Sequence, residues 1–233
     1  MLQELDKELK EHSNPEKAKI LQKFFKTGPG EYGEGDIFLG LTSAENKEIA
    51  KKFKKLETEE IQELLNSEIH EKRVIALRIL VEQYKKAKPE EKNKIFEFYL
   101  KNAKQINNWD LVDLSASNII GTHLLKQDKK ILYQLANSEN LWEKRIAIIS
   151  TFTFIRNNKF QDTIKISEIL LNDKHDLIHK AVGWMLREIG KRNEPTLTNF
   201  LNKHYKNMPR TMLRYSIEKF SEEKRQAYLK GEI

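Results

Sequence analysis

Glu71-Lys72-Arg73-Val74-Ile75-Ala76-Leu77 is a phrase that this chain rewrites. It returns as Glu143-Lys144-Arg145-Ile146-Ala147-Ile148 and, more loosely, as His179-Lys180-Ala181-Val182-Gly183-Trp184. Arg73, Asp110, Arg145, Lys180 and Arg210 share a register and fall 37, 35, 35 and 30 residues apart. A helical period of this length describes stacked helix pairs. One pair cannot bury its apolar face alone, so neighbours stack into a continuous core.

Helical periods run nearly end to end around these phrases. The pattern predicts helices over 2–12, 15–26, 43–55, 58–66, 70–87, 90–104, 109–125, 128–137, 141–156, 161–172, 175–191, 195–206, 209–219 and 221–229. Asn14-Pro15 and Lys88-Pro89 open helices, Asn108 is a good N-cap, and Pro195 and Pro209 fall in first turns. No alternating run supports a sheet. The expected fold is all-α: a HEAT-like repeat α-solenoid, a superhelix of antiparallel helix pairs with a concave basic groove, filling 1–233 as one domain. One segment stands apart. Residues 26–37 hold four of the nine glycines and read as an inserted loop or short hairpin.

Composition narrows the partners. With no cysteine, disulfides and thiolate metal sites are excluded, and a cytoplasmic location is the simpler expectation. No apolar run approaches the roughly 18 residues that span a bilayer. The N-terminal stretch is a mixed-charge helix rather than a signal or transit peptide. Net charge is +7, and residues 141–233 hold all of the excess, with 18 Lys+Arg against 11 Asp+Glu. Such asymmetry suits a polyanion, nucleic acid before membrane, although a solvated lysine-rich surface has the same composition. The six histidines have no metal-ligand spacing, so neither metal nor cofactor is expected. No glycine-rich phosphate loop and no serine or cysteine nucleophile motif is present.

Two tryptophan-bearing segments are the candidates for chemistry. On the helix over 175–191, Ile178, Ala181, Val182, Met185, Leu186 and Ile189 form one apolar arc. Trp184 lies about 100° from its centre, with Lys180, Arg187 and Lys191 as wheel neighbours. The tryptophan either packs on the next repeat among snorkelling cations, or offers an aromatic face within a phosphate-binding row. In the second reading Gly183 allows a close approach. Trp109 and Asp113 lie one turn apart on another helix. By spacing alone they suit a core tryptophan with a dipole-capping carboxylate, while recurrence of tryptophan with charge in two repeats suits a site. Arg145 is open to two roles, phosphate contact or an interhelical bond.

Asn108-Trp109-Asp110-Leu111-Val112-Asp113, continuing through Ser115-Ala116 to Ile120-Gly121, resembles the signature of AlkD-type DNA alkylation repair proteins. Leu141-Trp142-Glu143-Lys144-Arg145-Ile146-Ala147 and Lys180-Ala181-Val182-Gly183-Trp184-Met185-Leu186-Arg187-Glu188 are similar to it as well, and Asn14–Ala18 and Phe38-Leu39-Gly40 fit the family's N-terminal part. The resemblance spans nearly the whole chain in the family's motif order. It implies a superhelix that cradles duplex DNA and a monofunctional glycosylase that excises cationic N3- and N7-alkylated purines without a flipped-base pocket. It implies Trp109, Asp113 and Trp184 as the catalytic trio and Arg145 and Arg187 as DNA-backbone contacts, with Lys180 and Lys191 beside them. The chain departs from the pattern at Leu41-Thr42-Ser43-Ala44, where the family usually has a proline-containing DNA-contacting turn. Thr42 and Ser43 keep donors for a phosphate there. Thr153 stands where a lysine is expected, with Arg156 one turn away. The implied protein is a bacterial monomer, nucleoid-associated when acting, with no obligate protein partner. A non-catalytic binder of duplex or branched DNA is the alternative on the same scaffold. A protein-binding solenoid accounts for the repeats but not for the localised charge.

Overall fold

Proline's fixed φ suits a helix's first turn, where its missing N–H costs nothing. Pro15, Pro89 and Pro195 all stand there, and Pro209 stands one residue earlier, at the N-cap. The computed structural model describes Met1–Ile233, which form two compact units, Met1–Ser115 and Ala116–Ile233. The first holds α1 (Leu2–Glu11), α2 (Pro15–Phe24), α3 (Ser43–Lys52), α4 (Thr58–Leu65), α5 (His70–Lys86), α6 (Pro89–Lys101) and α7 (Trp109–Ala116, which ends at the boundary). The second holds α8 (Thr122–Leu124), α9 (Lys130–Ala136), α10 (Leu141–Ser150), α11 (Phe152–Arg156), α12 (Gln161–Ile169), α13 (Asp176–Gly190), α14 (Glu194–His204), α15 (Arg210–Ser216) and α16 (Glu222–Lys230). The chain is all-α, and its only extended pairing is a single parallel bridge between Ile37 and Ile69.

The rewritten phrase marks the central helices. In the N-terminal unit α5 packs against α3, α4 and α6, burying Val74, Ile75, Ala76, Leu77, Ile79 and Leu80. In the C-terminal unit α13 packs against α10, α12, α14 and α15. All six residues of its apolar arc are fully buried. Each such aliphatic side chain contributes about 1.5–3 kcal/mol on burial. These are the stacked helix pairs that the repeat period implies. Arg73 and Arg145 do the same job in the two units. Both are buried, and their Nη1 groups donate to the carbonyls of Ser67 and Leu177, each at 2.7 Å.

Several expected helices are shorter or broken. The segment 109–125 is not one helix: a π turn at Ser117–Gly121 separates α7 from α8. Thr122 Oγ1 donates to the Ser117 carbonyl five residues back. A Cβ at Gly121 would stand 2.1 Å from the Ser150 carbonyl, so the wide turn forms where two backbones approach closely. The segment 141–156 divides at Thr151, whose N–H turns to Ile148 O in a tighter bond. Residues 25–36 form turns. They lead to Gly40, which has φ +90° and passes so near α2 that a Cβ would lie 2.2 Å from Asn14 O. No helix is long and apolar enough to cross a membrane.

Candidate functional site

Asn108 is fully buried at the head of α7, and its Oδ1 accepts from the Trp109 N–H at 2.8 Å. That fixes the start of α7 and directs Trp109 into an aromatic cluster. Its indole stacks on Phe25 (5.2 Å between centroids, 11° between planes) and meets Phe24 edge-on at 6.0 Å. Phe25 stacks in turn on Phe38 at 4.9 Å, and Phe38 on the His70 imidazole at 4.4 Å. Each such pair adds about 0.5–1.5 kcal/mol beyond its area, so Trp109 is held by a stack of rings.

An ionic chain runs behind the rings. His70 Nδ1 lies 3.0 Å from Asp36 Oδ2, and its Nε2 lies 2.8 Å from Asp110 Oδ2. Arg73 Nη2 reaches Asp36 Oδ1 at 2.5 Å. Burial alone would depress the imidazole's pKa, but the flanking carboxylates of Asp110 and Asp36 raise it from 6.5 to about 9. Burial pushes the Asp36 carboxyl the other way, and His70 and Arg73 outweigh it, holding that carboxyl below its ordinary value. His70 is therefore an imidazolium at neutral pH, tying the glycine-rich loop to the first turn of α7. Asp110, expected to serve only the helix dipole, is one end of this clamp.

Glu71 performs a second anchoring. Its Oε1 accepts from the N–H groups of Leu39 (3.0 Å), Gly40 (2.8 Å) and Leu41 (3.3 Å). Together α2, the 38–41 segment, α3, α5 and α7 enclose a cavity of about 460 Å³. Trp109 and Asp113 both line it, as do Phe24, Ser43, Asn46 and Arg78. Asp113 is half-buried on its wall. No group of His, Asp and Glu is arranged to hold a metal ion.

The remaining expected residues lie as follows. Thr42 caps α3 in a reciprocal capping box with Glu45, and the Ser43 hydroxyl accepts from Arg78 Nη2 at 2.8 Å. In the C-terminal unit, Trp184 is half-buried with its ring 5.8 Å from that of Phe152. Phe152 carries the Arg156 guanidinium at 5.6 Å, giving a row of indole, phenyl and cation. Lys180 pairs with Asp176 at 2.6 Å and Lys191 with Glu188 at 2.6 Å, while Arg187 pairs with Glu218. Arg145 lies in the interior, bonded to the first turn of α13. One expectation is corrected. Gly183 does not open space for a ligand: a Cβ there would stand 2.5 Å from Tyr215 Cβ and 2.7 Å from Met212 O. The glycine serves the close packing of α13 on α15.

The sequence reading passed over Phe24, Asp36, Asn46, His70 and Arg78. The one available signal was position. Asp36 closes the glycine-rich loop, and His70 immediately precedes the repeated phrase.

A family model described as DNA alkylation repair enzyme matches residues 5–220. The chain belongs to that family. Its work is thereby placed in DNA alkylation repair, with DNA as the partner. A solved structure, that of a predicted DNA alkylation repair enzyme from Enterococcus faecalis, shares the fold. Its TM-score is 0.69 at 16% identity, over 91% of this chain and 98% of that one. No protein of curated function gives a significant match.

Proposed function

We propose that this member of the family is a monofunctional glycosylase that hydrolyses the N-glycosidic bond of cationic N7- or N3-alkylated purines in duplex DNA. The observation that carries the reading is the shared cavity wall of Trp109 and Asp113, an aromatic plane and a carboxylate held on one short helix. An alkylated purine already bears positive charge, so it departs as a neutral base and needs no general acid. What requires stabilisation is the oxocarbenium-like sugar, and a fixed carboxylate in a partly desolvated cavity does that. Asp113 also orients the attacking water and takes up its proton. The indoles of Trp109 and Trp184 attract the cationic sugar through their faces. Bond cleavage by this route requires no flipped-base pocket.

The phosphate contacts fall to Arg187, Lys180, Lys191 and Arg156, with Thr42 and Ser43 at the start of α3 and Arg145 bracing α10 behind them. The acidic partners of the exposed cations are exchangeable, because a surface ion pair contributes only about 0–1 kcal/mol. A phosphate can take their place. Incubation with methylated duplex DNA, followed by chromatography of the released bases, tests the reading. The expected products are free 7-methylguanine or 3-methyladenine. Salt-sensitive DNA binding with no release would instead identify a non-catalytic binder, and preference for junctions over linear duplex would add the branched-DNA specificity.

A further inference from the structure

The cavity lined by Trp109 and Asp113 has a second wall that the hydrolysis does not use. It is contributed by α3 and α5 through Ser43, Asn46 and Arg78. Asn46 is 5% exposed, and its Oδ1 is buried without a hydrogen-bond partner. The Nε of Arg78 is buried and unpartnered too, while its Nη2 is occupied by Ser43. Buried polar atoms are almost always paired, and leaving one unpaired is costly. An acceptor and a donor orphaned on one wall call for a ligand that presents a donor beside an acceptor.

The opposite face calls for a flat ligand. Trp109 is stacked on Phe25, and Phe24 meets it edge-on. Phe24 is 62% exposed, an unusual state for a phenyl ring beside a cavity, and Ile20 one turn earlier on α2 is 67% exposed. The volume of about 460 Å³ lies within the roughly 300–1,000 Å³ of small-molecule sites. A bare phosphate would leave the Asn46 acceptor unmatched, and an aliphatic ligand would leave Arg78 unmatched. A purine satisfies both. Adenine carries an exocyclic amine beside N7, and guanine carries N1–H beside O6.

We infer that this cavity is a base site: it takes one planar, purine-sized nitrogen heterocycle whose edge N–H donates to Asn46 Oδ1 and whose edge acceptor receives Arg78 Nε–H, with the ring against Trp109 and Phe24. The choice of an N-methylated purine as the ligand rests on the glycosylase reading; the donor, acceptor and aromatic plane do not. Cleavage requires no pocket, but the departing neutral base requires somewhere to go. A site beside Asp113 draws it away from the sugar as water attacks.

Titration calorimetry of the full chain with free 7-methylguanine tests the site. Saturable one-to-one binding is expected. Two changes should each weaken it about tenfold: Asn46→Leu, and use of 1,7-dimethylguanine, which lacks the N1–H. The losses should not add, since they remove the same hydrogen bond. Phe24→Ala, an exposed change, should also weaken binding. The thermal midpoint of Asn46→Leu should not fall, because the substitution removes an orphaned acceptor. Absence of saturable binding, or equal affinity for the two ligands, overturns the site. So does unaltered binding by Asn46→Leu. Should that variant fail to fold, the pair of ligands decides on the unaltered protein. Base release from methylated DNA is read separately. Release without free-base binding removes this site and keeps the glycosylase, and binding without release does the reverse.

Discussion

Trp109 and Trp184 are both half-buried tryptophans on helices rich in charge, yet their surroundings differ in kind. Trp109 belongs to a stack of four rings, and the acid beside it is matched in the interior by a buried imidazolium. Trp184 has the single aromatic neighbour Phe152, and the cations of its helix are matched at or near the surface by acids. The units differ accordingly. Ala116–Ile233 carries 21 Lys+Arg against 13 Asp+Glu, and Met1–Ser115 carries 21 against 22. Buried pairs fix geometry because neither partner can leave. Exposed pairs hold charge in reserve for another anion. The N-terminal unit is built for precise placement of a few atoms, and the C-terminal unit supplies the excess positive charge.

The largest effect that could break this contrast lies at His70. His70→Asn leaves Asp36 and Asp110 without their shared cation, and urea unfolding should show a loss of about 3–5 kcal/mol. Lys180→Ala should cost less than about 0.5 kcal/mol in the same measurement. Similar losses from both would erase the distinction. The clamp also predicts a pH profile. The pKa of His70 is raised from 6.5 to about 9, so its contribution is complete below pH 6.5 and is lost as pH rises through about 9. The Asp36 carboxyl is held low, so its contribution is present above the ordinary carboxylate range and disappears on acidification. Stability measured against pH should fall at both ends, and His70→Asn should flatten the alkaline limb.

Gly183 comes next. A methyl group there meets Tyr215 and Met212, so Gly183→Ala should destabilise by about 1–3 kcal/mol despite alanine's better helix propensity. A stabilised variant would reopen Gly183 as space for a ligand. The smallest effect belongs to the surface. Lys180→Ala and Lys191→Ala should each reduce the slope of log affinity for duplex DNA against log salt by about 1. Unchanged slopes would show that these cations keep their acidic partners in the complex.

Much of the fold was legible because helix stacking writes itself into periodicity. The arc of Ile178, Ala181, Val182, Met185, Leu186 and Ile189 was readable from spacing, and every member is buried. The breaks were not legible. The π turn at Ser117–Gly121 is imposed by the Ser150 backbone, a partner far along the chain. The same limit applied to the cavity. Trp109 and Asp113 are one turn apart and could be read together, but Asp36, His70 and Asp110 meet only through folding across more than seventy residues. The repeated arginine shows the converse error available to pattern reading. Arg73 and Arg145 share a register because both donate to a backbone carbonyl, a packing duty that a charge pattern cannot separate from phosphate binding.

The central claim is that the carboxylate of Asp113 stabilises a sugar cation. Single-turnover release of 7-methylguanine from methylated duplex DNA, compared between the unaltered protein and Asp113→Asn with both folded, tests it most directly. The account predicts a fall of at least about 100-fold at unchanged DNA affinity. Release by Asp113→Asn at the unaltered rate would contradict it.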